Sequence, residues 1–247
     1  MEFELYVNKK KEIYSSLLDY LDSCDDWENN FKSIIDILNK QDIFEDKEQI
    51  FELLNLISKI EENYHRTSNF YPKITKLIDF IIKQKNQSIS NDDIFQIYQS
   101  NILILLHLFE QEILIPTESI IDTIYDLKHP NGMKYSYFLF NSIKKYINEN
   151  KIKSIVNKIS NEFEESLEEF AEKCRIGEND SYICSLIRKD SIDEFVIYTN
   201  KNNIPLSNCI KKSKFETNPF LISKNPTLIE YATFFGSIQI FQFLTFN

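Results

Sequence analysis

Three histidines and four cysteines are the side chains of this 247-residue chain best suited to metal or nucleophilic chemistry. Glu62-Asn63-Tyr64-His65 has Glu-x-x-His spacing, which puts a carboxylate and an imidazole on one helix face, as in di-iron bundles. Such a site needs a second pair and two more inward-facing carboxylates. The nearest second pair, Asp126 and His129, has the shorter acid and sits at a turn, His129-Pro130-Asn131-Gly132. His65 therefore reads as a helix-end residue. His107, inside an apolar run, reads as a core histidine bonded to a backbone carbonyl. Cys24, Cys174, Cys184 and Cys209 include no CxxC pair, so neither a zinc finger nor a thioredoxin-type motif is spelled. Buried, reduced thiols are the simple reading. A Cys-His nucleophile stays open for Cys174 or Cys184, with nothing local to support it. No catalytic, cofactor-binding or metal-binding residue is assigned.

Glycine excludes more than any other residue. The chain has Gly132, Gly177 and Gly236 and no others, where average usage of about 7% would give roughly 17. With the three spaced 45 and 59 residues apart, a Rossmann fingerprint, a P-loop and a Gly-x-Ser-x-Gly elbow cannot be written. Net charge is −10, from 28 Lys+Arg against 38 Asp+Glu. A chain this acidic is repelled by phosphate backbones. Its lysine clusters, Lys9–Lys11, Lys144–Lys145 and Lys211–Lys212, are short and read as solvated faces. The N-terminus lacks the basic start and apolar run of a signal peptide. The longest uncharged apolar run, Ile94 to Phe109, is interrupted by Gln96, Gln99, Asn101 and His107 and is shorter than the ~20 residues of a membrane span. These features predict a soluble, cytoplasmic protein with no membrane insertion and no nucleic-acid partner.

The elements that would position these residues are helices. Apolar residues recur at three and four almost throughout. Helices are predicted from about Glu4 to Leu21 and, behind a Ser23–Asp26 start signal, through Trp27 to Leu38. Others follow Asp46, open at Pro72, and follow a Ser90–Asp93 cap. That last helix is apolar all round near Ile102–Phe109, so it should be buried on every side at the centre of the N-terminal core. Further helices start at Pro116 and span Lys134–Asn150 and Ile152 to about Lys173. The last of these carries an acidic outer face, Glu162 to Glu172, which is either solvated or attractive to a basic protein. Residues 1–175 read as an irregular helical array with no clean repeat.

The C-terminal end differs. Thr227-Leu228-Ile229-Glu230-Tyr231-Ala232 is followed by Gly236 and the apolar stretch Ile238–Leu244. This resembles one ankyrin repeat, whose T-P-L-H-x-A opening precedes a glycine and an apolar helix. Leu228 stands in the proline place and Glu230 in the histidine place. Thr227 can cap the first helix, Ala232 is small where the paired helices approach, and Gly236 can take positive φ between them. A weaker copy runs from Ser181 to Phe195, with Asp190 in the glycine place, 46 residues before Gly236. Asp190 would equally serve as the N-cap of the helix that follows it. The surplus over a standard repeat falls in the Pro205–Pro226 connection.

These segments are similar to the large protist ankyrin-repeat families, in which a helical N-terminal region of unknown function precedes degenerate repeats. The heavy Ile, Asn and Lys usage suits an AT-rich genome. The resemblance covers residues 176–247. It implies an all-α fold: the irregular helical array of 1–175 leads into an ankyrin-like helix-turn-helix solenoid at 176–247. It also implies a non-enzymatic interaction module whose partner is another protein. A lone repeat cannot bury its apolar face, so preceding helices are expected to cover it. The competing reading is a helical enzyme with a buried carboxylate/His metal site, which metal analysis would reveal.

Overall fold

The computed structural model describes residues 2–23, 27–66, 69–84, 89–126 and 132–247. Cys24–Asp26 of the expected second start signal and the His129–Asn131 part of the expected turn lie outside them. The described residues form sixteen α-helices and no named strand. The chain divides into two compact units, Met1–Glu61 with Thr67–Ile97, and Glu62–Arg66 with Tyr98–Asn247.

The first unit is built from α1 (Glu2–Asp22), α2 (Trp27–Lys40), a 3-10 turn (Ile43–Glu45), α3 (Lys47–Asn63), α4 (Phe70–Ile82) and α5 (Asn91–Tyr98), less the few end residues of α3 and α5 that count with the second. Helical spacing sends Ile13, Leu17, Tyr20 and Leu21 of α1, Ile34 and Leu38 of α2, Leu53, Leu54, Ile57 and Ile60 of α3 and Ile74, Leu77, Ile78 and Ile81 of α4 inside. Each such side chain contributes about 1.5–3 kcal/mol relative to exposure. Local signals start the helices. Asp46 accepts the Glu48 amide (2.9 Å), and Ser90 accepts that of Asp93 (3.1 Å). Pro72 is the third residue of α4 rather than the first, a position whose N–H also has no intrahelical acceptor.

A buried cation closes α1. Lys73 is 1% exposed, and its Nζ donates to the carbonyls of Leu21 (2.8 Å) and Ser23 (2.5 Å). Those carbonyls have no helical donor, so the ammonium exchanges water for oxygen ligands rather than for hydrocarbon. The Tyr20 hydroxyl donates to the Lys73 carbonyl (3.0 Å). Burial, aided by the charge of Glu28, pushes the Tyr20 phenol well above its usual pKa.

The second unit contains α6 (Ile102–Glu110), α7 (Glu118–Tyr125), α8 (Gly132–Phe138), α9 (Phe140–Ile143), α10 (Glu149–Glu162), α11 (Leu167–Ile176), α12 (Tyr182–Arg188), α13 (Ile192–Lys201), α14 (Pro219–Lys224), α15 (Leu228–Phe235) and α16 (Ile238–Phe246). As its all-round apolarity predicts, α6 buries every residue from Ile102 to Phe109 except His107. It falls in the second unit. Thr117 caps α7 through the Ile120 amide (3.2 Å).

Three long helices expected from periodicity are broken. The stretch after Ser90 stops at Tyr98 and restarts at Ile102, and the Gln99 carbonyl is taken by the Tyr135 hydroxyl (2.5 Å). The Lys134–Asn150 stretch becomes α8, α9 and a 3-10 turn at Lys144–Tyr146, after which Asn148 caps α10 through the Lys151 amide (2.9 Å). The Ile152–Lys173 stretch breaks at 163–166, where Ser166 and Glu169 form a capping box that starts α11. At each of the last two breaks a short polar side chain offers the backbone an alternative to the helical ladder. Phe163 is left extended, and its ring packs against Tyr137, Phe170 and Phe215 at centroid distances of 5.7, 4.6 and 5.5 Å.

Candidate functional site

The segment singled out by sequence folds as two helical hairpins. In the first, α12 packs on α13; in the second, α15 packs on α16. The hairpins stack with α12 against α15 and α13 against α16. Cys184, Leu186 and Ile187 of α12, Phe195 of α13, Leu228, Tyr231 and Ala232 of α15 and Ile240 of α16 form one buried cluster. Ala232, wholly buried, is small where α15 meets its neighbours, as expected.

Both hairpin turns use the same backbone device. Gly236 has φ +67° and Asp190 has φ +50°, so Asp190 does occupy the glycine place. In each turn the next residue's amide reaches back five residues, Ser191 to Leu186 (3.0 Å) and Ser237 to Ala232 (2.9 Å). This closes the preceding helix in Schellman fashion. Aspartate is one of the few residues with a side chain that adopts left-handed backbone readily.

The expectation that Asp190 caps its own following helix is not met. Ser191 is the N-cap of α13 and makes no side-chain cap. The Asp190 carboxylate instead accepts the amides of Gln239 and Ile240, each at 3.0 Å, and so caps α16 in the neighbouring hairpin. The Ser237 hydroxyl donates the other way, to the Ile187 carbonyl (2.5 Å). The two turns are thus stapled to one another by polar bonds. Thr227 caps α15 as predicted, and Glu230 completes a capping box with it. The residue that departs from the ankyrin opening therefore serves α15 locally. The Thr227 amide and hydroxyl hold the Glu230 carboxyl below its ordinary pKa.

A buried polar network underlies α12 and α15. Arg188 Nε lies 2.6 Å from Glu178. Its guanidinium also donates to the Asn179 carbonyl (2.9 Å) and the Tyr231 hydroxyl (2.8 Å). Burial raises the Glu178 pKa in spite of Arg188 and Arg66. Burial likewise pushes the Tyr231 phenol far up. Gly177 ends α11 at φ +64°, and its carbonyl accepts both the Thr217 amide (3.0 Å) and hydroxyl (2.7 Å). The connection between the hairpins returns along itself, with Ile210 donating to Pro226 (2.7 Å) and Leu228 to Asn208 (3.1 Å).

The other residues weighed for chemistry do not converge. Glu62 uses its carbonyl to accept from Asn218 (3.3 Å). His65 follows the end of α3, half-buried, with its ring on Tyr64 at 4.3 Å. His107 is also half-buried rather than enclosed, and His129 lies outside the described residues. Among the described residues no group of three His, Cys, Asp or Glu side chains could hold a metal ion. Burial raises the Cys174 thiol to about 12 and the Cys184 thiol to about 11. Both stay protonated at neutral pH, and the thiolate is the nucleophile. The acidic face is divided between α10 and α11 and engaged locally. Glu162 accepts from Tyr137 (2.7 Å) and Lys214 (3.2 Å), Glu165 pairs with Lys173, and Glu169 is in the capping box. No helix among the described residues is long and apolar enough to cross a membrane.

Comparison with known proteins adds no relative: no protein-family model, no curated protein and no solved structure matches this chain.

Proposed function

We propose that this protein is a non-enzymatic protein–protein interaction module, an ankyrin-type scaffold or adaptor whose C-terminal hairpins carry the binding surface. The observation that supports it most is the recurrence of one hairpin at an interval of 46 residues. Ser181 and Thr227 stand before the first helix, Asp190 and Gly236 take positive φ, and Ser191 and Ser237 close the turn. Stacked units of this kind make extended surfaces from side chains that their own packing leaves free. Tyr182 on α12 and Glu230 and Thr233 on α15 are exposed, each with a hydrogen bond to its own unit that leaves the outer side of the residue open to solvent. The buried, protonated thiols also favour a binding role over nucleophilic catalysis.

Immobilised wild type and a Tyr182→Ala/Thr233→Arg double variant, each exposed to extract of the cells that make the protein, test this reading. A protein retained by the wild type and lost by the variant, at unchanged thermal unfolding, supports it. Identical retention by both, or stoichiometric metal in the purified protein together with hydrolytic or redox turnover, overturns it.

A further inference from the structure

The Lys211–Lys212 pair, a solvated face by sequence, is part of the lining of a cavity of about 90 Å³ in the second unit. Its polar lining is Lys134, Lys211, Lys212, Asn179, Ser213, Glu216 and Asn225. The rest of the wall is apolar, with Ile210, Leu221 and Tyr231 all buried. Three lysines thus line one recess of a chain whose net charge is −10. The geometry points to an oxyanion site that takes a carboxylate or a phosphate group.

Size selects the ligand class. A recess of about 90 Å³ has room for a few waters, and so for a carboxylate or phosphate head. Sites for whole cofactors run from about 300 Å³ upward. Donors select its charge. Lys134 is half-buried, and its one hydrogen bond among the described residues goes from Nζ to the Glu216 carbonyl (2.8 Å). An ammonium carries three donors, so two remain. Burial lowers the Lys134 pKa, with Glu216 opposing, and an anion beside it would restore the balance.

The Glu216 carboxylate fills this role only in part, since burial still prevails at Lys134. Its two oxygens accept the backbone amides of Asn218 (3.0 Å) and Asn179 (3.2 Å). Lys211 and Lys212 are exposed and make no ion pair among the described residues. The Asn179 side chain holds the Lys211 carbonyl (2.7 Å), which fixes the backbone of the rim. Apolar walls exclude water and strengthen each charge-assisted bond to a bound anion. This site does not depend on the ankyrin-type reading.

Two titrations followed by NMR at the Lys134 side chain and at the Asn179, Lys211 and Ser213 amides test it. One uses inorganic phosphate and the other a capped Gly-Glu-Gly peptide. The expected result is saturable, 1:1 binding confined to these residues and weakened by added salt. Lys134→Met should weaken it about 10- to 100-fold, the ratio carried by a charge-assisted hydrogen bond. Lys212→Ala, at the exposed rim, should weaken it severalfold and leave folding untouched, so the test survives a Lys134→Met variant that fails to fold. Saturation by phosphate alone identifies a free oxyanion ligand. Saturation by the peptide, in competition with phosphate, identifies an acidic side chain of a protein. Unsaturable shifts scattered over surface lysines, no response to either probe, or an affinity that Lys212→Ala leaves unchanged overturns the site.

Discussion

Asp190 holds two roles that substitution can separate. Its backbone sits at φ +50°, and its carboxylate accepts the Gln239 and Ile240 amides at 3.0 Å. Asp190→Ala removes the cap, a loss of about 0.5–2 kcal/mol, and leaves a residue that resists left-handed backbone by about 1–2 kcal/mol. The sum for the second unit is about 1.5–4 kcal/mol. Asp190→Gly also loses the cap, but glycine takes positive φ without steric strain, so its net loss should be about 1 kcal/mol smaller. Asp190→Asn keeps a tolerant backbone and one of the two acceptor oxygens, so it loses one amide bond and the charge at the α16 N-terminus, the charge being about 0.3–1 kcal/mol. The order of stability by denaturant unfolding is therefore wild type, Asn, Gly, Ala. Amide hydrogen exchange gives the local readout. Gln239 and Ile240 should both exchange faster in the Gly and Ala variants, whereas in Asn one of the two should stay near the wild-type rate. Wild-type protection of those amides in Asp190→Gly would show that no staple joins the two turns. Equal stability of the Gly and Ala variants would remove the left-handed backbone from the account.

The two positive-φ glycine turns, at Gly177 and Gly236, should respond differently to alanine. At Gly236 a Cβ meets nothing within 4 Å, so Gly236→Ala costs the backbone term alone, about 1–2 kcal/mol, and Gly236→Val strains the same turn further. At Gly177 a Cβ would stand 2.3 Å from Leu103 Cδ2, adding about 1–3 kcal/mol of overpacking; matched unfolding curves check the difference. Among Cys174, Cys184 and Cys209, an alkylating reagent at pH 8 should modify exposed Cys209 first. The buried pair should react only on unfolding, which mass spectrometry of the labelled peptides reads directly. The Glu230 carboxyl should titrate below the ordinary value of 4.5. Because its folded pKa is depressed, its contribution is complete above the unfolded value and is lost as pH falls through the folded one. Thr227→Val should move the carbon-13 midpoint of Glu230 upward, and an unmoved midpoint would deny the capping box.

Much of the helical content was legible because the signals for it are local. Apolar period marks which faces go inside, and short polar side chains mark helix starts within three residues of themselves. Thr117, Thr227, Asp46 and Ser90 all act at that range. The same locality explains the failures. Period runs unbroken through 99–101 and 163–166, whereas the chain breaks there. At the first break, a tyrosine 36 residues away takes the Gln99 carbonyl. At the second, the Ser166 capping box competed with a pattern that argued for continuation.

By itself the sequence determined that the chain is helical, that its glycines spell no nucleotide loop, and that residues 181–195 and 227–244 share a hairpin pattern with Asp190 standing in for glycine. Only tertiary structure decided that Asp190 caps the neighbouring hairpin across 49 and 50 residues. It alone buried Lys73 against the end of α1, and it alone gathered Lys134 with Lys211 and Lys212 around one cavity. Period and caps are set by neighbours three or four positions away, so they can be read along the chain. A carboxylate that caps a distant helix, or lysines far apart in sequence that share a recess, acquire their roles from packing between elements, and no spacing in the sequence records it.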